Sequence, residues 1–484
     1  MINVRKQVVK GAQWMFISTV TTSIVQILRL SILTRFLEKS DFGIVAIITF
    51  ILGLTFTFTD LGFSSAIMYK QGLSRKEFSS LFWIQLITFS ILYSLLSLCS
   101  PLVAQFYNEP SITQLMPIAL LDLILQGIGR LYDTILQKEL LFKQMAIRNI
   151  ISSFISLSIA FTLAFWGYGI YSLILSTLSH SIILNVWNFA MGQKHYKISF
   201  YINLHQSNPL IKIGMYQTGT QILDYIASKI DIAIIGKLLG AEELGIYNLA
   251  KELIYKVIIL INTIANKVSL PFFAKFQNDK IRLKEFYIMI VRFISTINFP
   301  ILALIASFSP FIIAILYGNN FKDSAPLLSI LTIWGISVCI ANPQGGLSIA
   351  TGNTHLSFKY TIVRILITFP IIIFTATISS TAIAWGQGIL GLIILWIGWK
   401  MQIKKIIPLS FKEFTKAFSE NFYLNIILAI LMILIIETIP TNTTIKQLIS
   451  SIILFIIIYL TLYLTIGRGE IKNVIELIRK NKSM

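Results

Sequence analysis

Ionisable side chains interrupt apolar stretches at many points in this chain. Arg29, Asp60, Asp122, Arg130, Asp133, Asp224, Lys229, Asp231, Lys251, Glu252, Lys256 and Lys267 all sit inside runs long enough to cross a bilayer. A charge at the bilayer centre costs about 2.5–3.5 kcal/mol on insertion scales, so such residues face a cavity, a partner or an interface between helices. Arg130 and Asp133 are three apart, and Glu252 and Lys256 are four apart, so each pair can meet on one helix face. Asp224 and Asp231 share a face by the same periodicity. The chemistry that suits these groups is the carriage of an anion. An anion does not enter hydrocarbon without a counter-charge, and Arg or Lys supplies one. The competing reading for any one residue is an ion pair that only holds two helices together. Arg292, Arg364 and Lys267 lie near span ends, where snorkelling to the interface suffices.

Other chemistries find little support. His180, His195, His205 and His355 lack metal-ligand spacing, and Cys99 and Cys339 form no CxxC, so no metal site and no disulfide framework is expected. No P-loop occurs. The start has no small-residue cleavage site after its first apolar run, which reads as a retained helix. Asn342-Pro343-Gln344-Gly345-Gly346 lies within an apolar run. Pro343 removes a backbone donor and Gly345 and Gly346 weaken the helix, so this stretch is a candidate hinge, with a static kink as the alternative.

The elements that hold these residues follow from composition. Only 13% of residues are charged and 55% are apolar. A soluble domain carries roughly 25% charged residues. The net charge of +19 is spread singly between apolar runs, which excludes a nucleic-acid-binding face. About 20 apolar residues span the hydrocarbon. Segments of that kind are 13–36, 42–67, 78–105, 113–136, 148–166, 168–191, 210–237, 245–272, 286–308, 325–350, 357–378, 381–400, 421–438 and 446–466. An all-α membrane protein of about 14 transmembrane helices is therefore expected. With the N-terminus cytoplasmic, about two dozen basic residues fall on one side. The other side receives little beyond Arg35, Lys39, Lys237, Lys322 and Lys446. This places both termini in the cytoplasm. Phe411, Phe414 and Phe418, and again Ile471, Val474, Ile475 and Ile478, recur at helical spacing among charges and read as interfacial helices.

The sequence repeats itself. Leu28 to Leu37 followed by Asp41-Phe42-Gly43-Ile44 aligns without gaps with Ile230 to Leu239 followed by Glu243-Leu244-Gly245-Ile246. A second pair supports this: Gln137 to Lys143 followed by Arg148, and Asn353 to Lys359 followed by Arg364. Two parallel halves of this kind are a transporter signature. The expected organisation is an N-terminal lobe over 1–200 and a C-terminal lobe over 201–405. An amphipathic linker, two further helices and a basic tail follow over 406–484.

The pattern from Arg35 to Gly43, Asp60-Leu61-Gly62 and the Phe-Lys turns resemble the bacterial polysaccharide flippases of the multidrug/oligosaccharidyl-lipid/polysaccharide exporter superfamily. The resemblance covers the whole chain. It implies two pseudo-symmetric six-helix lobes around a central cavity, plus two C-terminal helices. It also implies movement of an undecaprenyl-pyrophosphate-linked oligosaccharide across the bacterial cytoplasmic membrane by alternating access. Arg29, Arg130, Lys229, Lys251 and Lys256 would then bind substrate. Asp60, Asp133, Asp224, Asp231 and Glu252 would balance charge or bind a coupling proton or sodium ion. No cofactor and no enzymatic step is implied. The expected partners are the lipid-linked glycan, membrane lipids and the polysaccharide assembly machinery, with the transporter monomeric. Arg35, a loop cation in this reading, would tolerate Ala, whereas Arg29 and Lys256 would not. The alternatives are an ion-coupled drug or cation antiporter of the same superfamily and a membrane-embedded glycan-assembly enzyme. The short loops leave no room for the catalytic domain that the last would need.

Overall fold

A computed structural model describes residues 2–59, 63–69, 74–437, 453, 455 and 457–459. Among the described residues every regular element is helical. The first ten helices are α1 (Ile2–Leu33), α2 (Lys39–Thr59), α3 (Phe63–Tyr69), α4 (Arg75–Leu98), α5 (Ser100–Tyr107), α6 (Ile112–Lys138), α7 (Phe142–Phe165), α8 (Tyr171–Gly192), α9 (Leu204–Leu238) and α10 (Gly240–Lys275). Then come α11 (Lys280–Ser307), α12 (Ser309–Leu316), α13 (Ser324–Ala350), α14 (Thr354–Ala376) and α15 (Ser380–Gly398). A π-helical turn over Trp399–Ile403 leads to α16 (Lys404–Ile406) and α17 (Phe411–Glu437).

Among the described residues, eleven helices are long and apolar enough to cross a membrane, or twelve with α10 counted as one span. The expected spans from 13–36 to 421–438 all fall on helical segments, with 42–67 divided between α2 and α3. The last, 446–466, lies almost wholly outside the described residues, as do Asp60 and the segment 471–480. The expected span 78–105 is two helices, α4 and α5, because Pro101 sits in the first turn of α5 and cannot continue α4. Ser100 secures the corner by donating to the carbonyls of Ser97 at 2.8 Å and Thr113 at 3.2 Å. At its other end α4 opens with a capping box: Ser74 N–H donates to Glu77 Oε2 at 3.0 Å and Glu77 N–H to Ser74 Oγ at 3.2 Å.

The helices present apolar residues outward and polar ones inward. Leu98, Leu366 and Phe374 are 81%, 67% and 68% exposed, while Ser152, Ser176 and Asn298 are fully buried. Lipid solvates such a surface and water does not.

The chain divides into two compact units. The first gathers Met1–Leu249, Ala314–Lys322 and Thr361–Ile383; the second gathers Ala250–Ile313, Asp323–Tyr360 and Ala384–Met484. In the first, α1 packs on α7, α6 on α4 and α8, and α2 on α9. Gly129 lets α6 and α8 close up, since a Cβ there would collide with Asn185. An aromatic cluster of Phe63, Phe78, Phe82 and Tyr132 braces α3, α4 and α6, and the Tyr132 hydroxyl donates to the Tyr196 carbonyl at 3.0 Å. In the second unit α11 packs between α13 and α17. Phe411 and Phe414 are the first turns of α17 rather than a separate interfacial helix. Phe414 is buried against Tyr287 and Phe418. Lys284 of α11 reaches Glu413 at 2.5 Å.

The repeat has a structural counterpart in the first unit. Gly43 lies against the carbonyl of Ala241, and Gly245 lies against the carbonyl of Lys39. The alignment pairs Lys39 with Ala241 and Gly43 with Gly245. The contact is therefore reciprocal, as a two-fold relation between equivalent segments requires. The second pair is out of register: Phe142 opens α7, whereas Phe358 sits a full turn inside α14.

Candidate functional site

A cavity of about 810 Å³ opens in the first unit. Its polar lining comes from Gln126, Arg130, Asp133 and Gln137 of α6, Arg148 of α7, and Asn185 and Asn188 of α8. Arg148 is only 4% exposed. Its Nη1 donates to Asp133 Oδ1 at 2.9 Å and also to Asn188 Oδ1. Its Nε and Nη2 donate to Asn149 Oδ1 at 3.1 and 2.9 Å. Gln137 Nε2 holds the other Asp133 oxygen at 2.8 Å. This network satisfies both ions, as buried charges require.

The expected span began at residue 148, which put Arg148 at its first position, among the basic residues of the cytoplasmic side. α7 begins at Phe142, which carries Arg148 nearly two turns into the helix. The signal that finds it is the polar run Lys143-Gln144 at the head of α7, read as helix rather than loop. The spacing lets Asp133 meet Arg130 on its own helix; its ion pair with Arg148 joins α6 to α7. Arg130 lines the same cavity.

Arg29 lies elsewhere in the unit. It lines a cavity of about 120 Å³ with Gln26, Ser153, Ser156, Thr177 and His180. Its Nη1 donates to the hydroxyls of Ser156 and Thr177, each at 3.3 Å, and its Nε is buried without a partner.

The α9 residues diverge. Asp231 is fully buried and accepts from the Tyr247 hydroxyl of α10 at 2.7 Å. Asp224 is exposed and accepts from Thr361 at 2.8 Å and Arg364 at 3.4 Å, both on α14. Arg364 thus has a carboxylate partner, where snorkelling was expected. Lys229 is half-buried on α9. In the second unit Lys251 is buried with its ammonium 5.0 Å from the Trp334 ring centroid, and Glu252 and Lys256 are half-buried on α10. Pro343, Gly345 and Gly346 lie in α13, which runs unbroken through them. The structure therefore brings Arg130 and Asp133 into one cavity and puts Arg29 in another.

The family model for polysaccharide biosynthesis proteins matches residues 32–326. The chain is 26% identical over 423 residues to the teichuronic acid biosynthesis protein TuaB of Bacillus subtilis (strain 168), covering 86% of this chain and 87% of that protein. It is 23% identical over 415 residues to the lipopolysaccharide biosynthesis protein WzxC of Escherichia coli (strain K12), covering 85% and 84%. Its fold resembles the lipid II flippase MurJ in an inward closed conformation, with a TM-score of 0.72, 17% identity, and coverage of 94% of this chain and 99% of that one. The match over residues 32–326 makes this chain a member of the polysaccharide biosynthesis protein family.

Proposed function

We propose that the protein is a flippase for an oligosaccharide linked to undecaprenyl pyrophosphate, moved from the inner to the outer leaflet of the cytoplasmic membrane. Both termini face the cytoplasm in this reading, and the six-helix lobes over 1–200 and 201–405 alternate in access. The observation that carries it is the charged cavity of about 810 Å³, lined by two guanidiniums, one carboxylate and four carboxamides. Its volume falls within the roughly 300–1,000 Å³ of small-ligand pockets.

The cavity's chemistry suits a glycosyl diphosphate. Arg130 and Arg148 supply planar donors for phosphate oxygens. Asp133 neutralises Arg148 while the cavity is empty, and an arriving phosphate competes for the same guanidinium. Asn185, Asn188, Gln126 and Gln137 donate and accept, as sugar hydroxyls do. An exporter of cationic drugs would gain nothing from the two arginines. A coupling proton or sodium ion would be held by a shielded carboxylate, and Asp231 is the best shielded among the described residues.

Purified protein in liposomes tests the reading. A lipid-linked oligosaccharide loaded into both leaflets should become fully accessible to a glycosidase added outside. Protein-free liposomes should expose about half, the share of one leaflet. Equal exposure in both preparations overturns the proposal.

A further inference from the structure

Arg35 follows the end of α1 and Lys237 lies in the last turn of α9. The gap-free alignment of the repeat makes them equivalent. Each reaches across to the other half of the repeat. Arg35 Nη2 donates to the Ile315 carbonyl at 2.7 Å and to the Ala314 carbonyl at 3.4 Å. Lys237 Nζ donates to the Phe106 carbonyl at 2.6 Å and lies 4.8 Å from the Phe106 ring centroid.

The two acceptors are equivalent as well. α5 and α12 are both short, and both begin Ser-Pro, at Ser100-Pro101 and Ser309-Pro310. In that register Phe106 falls opposite Ile315. A residue in the left-handed region follows each helix, Asn108 at φ 58° and Gly318 at φ 85°. Both carbonyls thus belong to the last turn of a helix, where acceptors lack intrahelical donors and the dipole favours a cation. Arg35 lies close enough to Gly318 that a Cβ there would collide with its guanidinium. Between the two cations, Gly43 and Gly245 allow the heads of α2 and α10 to touch backbone to backbone, and Lys39 meets Glu242 at 3.5 Å. Apart from the first residues of α12, every one of these groups belongs to the first unit.

We infer that Arg35 and Lys237 are the two halves of a symmetric latch, which ties the α1–α2 corner to the end of α12 and the α9–α10 corner to the end of α5, so keeps the two touching corners together, and releases when the protein opens at this end. In the orientation proposed above this is the outer face. The design suits reversible closure. Each cation binds carbonyls that water can satisfy once the corner parts, so opening strands no buried charge. The paired glycines make contact without interlocking side chains. The two cations act on equivalent elements, so both halves release together. The inference rests on the alternating-access reading but not on any substrate.

The test reads the corner directly, without transport. In a C99A/C339A background, cysteines replace Lys39 and Glu242, and a short bismaleimide reports how often the corner is closed in nanodiscs. Arg35→Ala and Lys237→Ala should each lower the cross-linking yield about threefold or more, in line with the loss of a charge-assisted hydrogen bond. The double variant should lower it further, and Arg35→Lys should retain most of it. The unfolding midpoint separates a latch from a structural staple. A latch changes the yield with little change in midpoint. A double variant whose folded fraction cross-links at the parent yield overturns the inference, whatever its midpoint. Flipping by the parent protein is measured separately, so failure of the substrate assignment leaves this result standing.

Discussion

Arg148 of α7 donates to Asp133 of α6 at 2.9 Å, and the pair forms one wall of the polar cavity. The side chains are 5% and 29% exposed, so the guanidinium is the more enclosed partner. Removing one member of a buried pair costs roughly 3–5 kcal/mol, because it strands the other. Asp133 retains Gln137 and the open cavity, which places Arg148→Ala at or below the low end of that range. Its unfolding midpoint should fall and glycan flipping should cease. The double variant Arg148→Ala with Asp133→Asn should recover most of the midpoint and none of the flipping. Normal flipping by the double variant would remove Arg148 from the binding machinery.

The reciprocal glycines make a sharper prediction about stability. A methyl at Gly43 or Gly245 would meet a backbone carbonyl, which cannot rotate away. Overpacking of this kind costs about 1–3 kcal/mol. The two alanine variants should lose stability by similar amounts, because their surroundings are equivalent. Gly219→Ala in α9 meets no heavy atom within 4 Å among the described residues and should gain up to about 1 kcal/mol from helix propensity. Thermal unfolding in detergent measures all three. Unequal losses at Gly43 and Gly245 would show that the two-fold relation stops short of this contact.

Asp231 offers a third measurement. The carboxylate is fully buried and takes a 2.7 Å hydrogen bond from Tyr247, itself fully buried. Hydrogen bonds to charged groups contribute roughly 1.5–3 kcal/mol. Tyr247→Phe should lower stability by about that amount, and Asp231→Ala should cost more, since it also leaves a void. A Tyr247→Phe protein as stable as the parent would mean that the hydroxyl does not hold the carboxylate.

Much of this architecture was legible in the sequence. Long apolar runs placed the helices, and the gap-free repeat predicted equivalent corners that turned out to touch. The missed features share a physical cause. Arg148 was misplaced because helix starts are written in weak local preferences, and a six-residue error put a buried cation at the head of its span. Arg35 and Lys237 were read as loop charges because their acceptors are main-chain carbonyls, which every residue type carries. Nothing in composition marks such an acceptor; only the fold brings Phe106 and Ile315 to them. Arg35 was also expected to tolerate Ala, and its contacts with Ala314 and Ile315 remove it as a neutral control. Asp224 and Asp231 share a helical face by spacing, yet they bond to different helices. Periodicity assigns a face and leaves the neighbour on that face unspecified.

The stretch Pro343 to Gly346 carries the last prediction. α13 passes through it as one continuous helix, and a hinge would need a state in which that helix bends further. The local sequence favours such a state. Pro343 has no amide to give the Cys339 carbonyl, and each helical glycine weakens the helix by about 0.5–1 kcal/mol relative to Ala. Gly345 has no heavy atom within 4 Å of an added Cβ, and at Gly346 the nearest is at 3.9 Å. Alanine therefore fits both sites in the helix as it stands and stabilises it. The variant Gly345→Ala with Gly346→Ala should raise the unfolding midpoint. If the helix bends further during transport, the same change should slow flipping severalfold, because it deepens only the present state. A static kink would give the higher midpoint with an unaltered rate. We expect the slower rate, and spin-label distances across α13 in both access states should then show its angle changing.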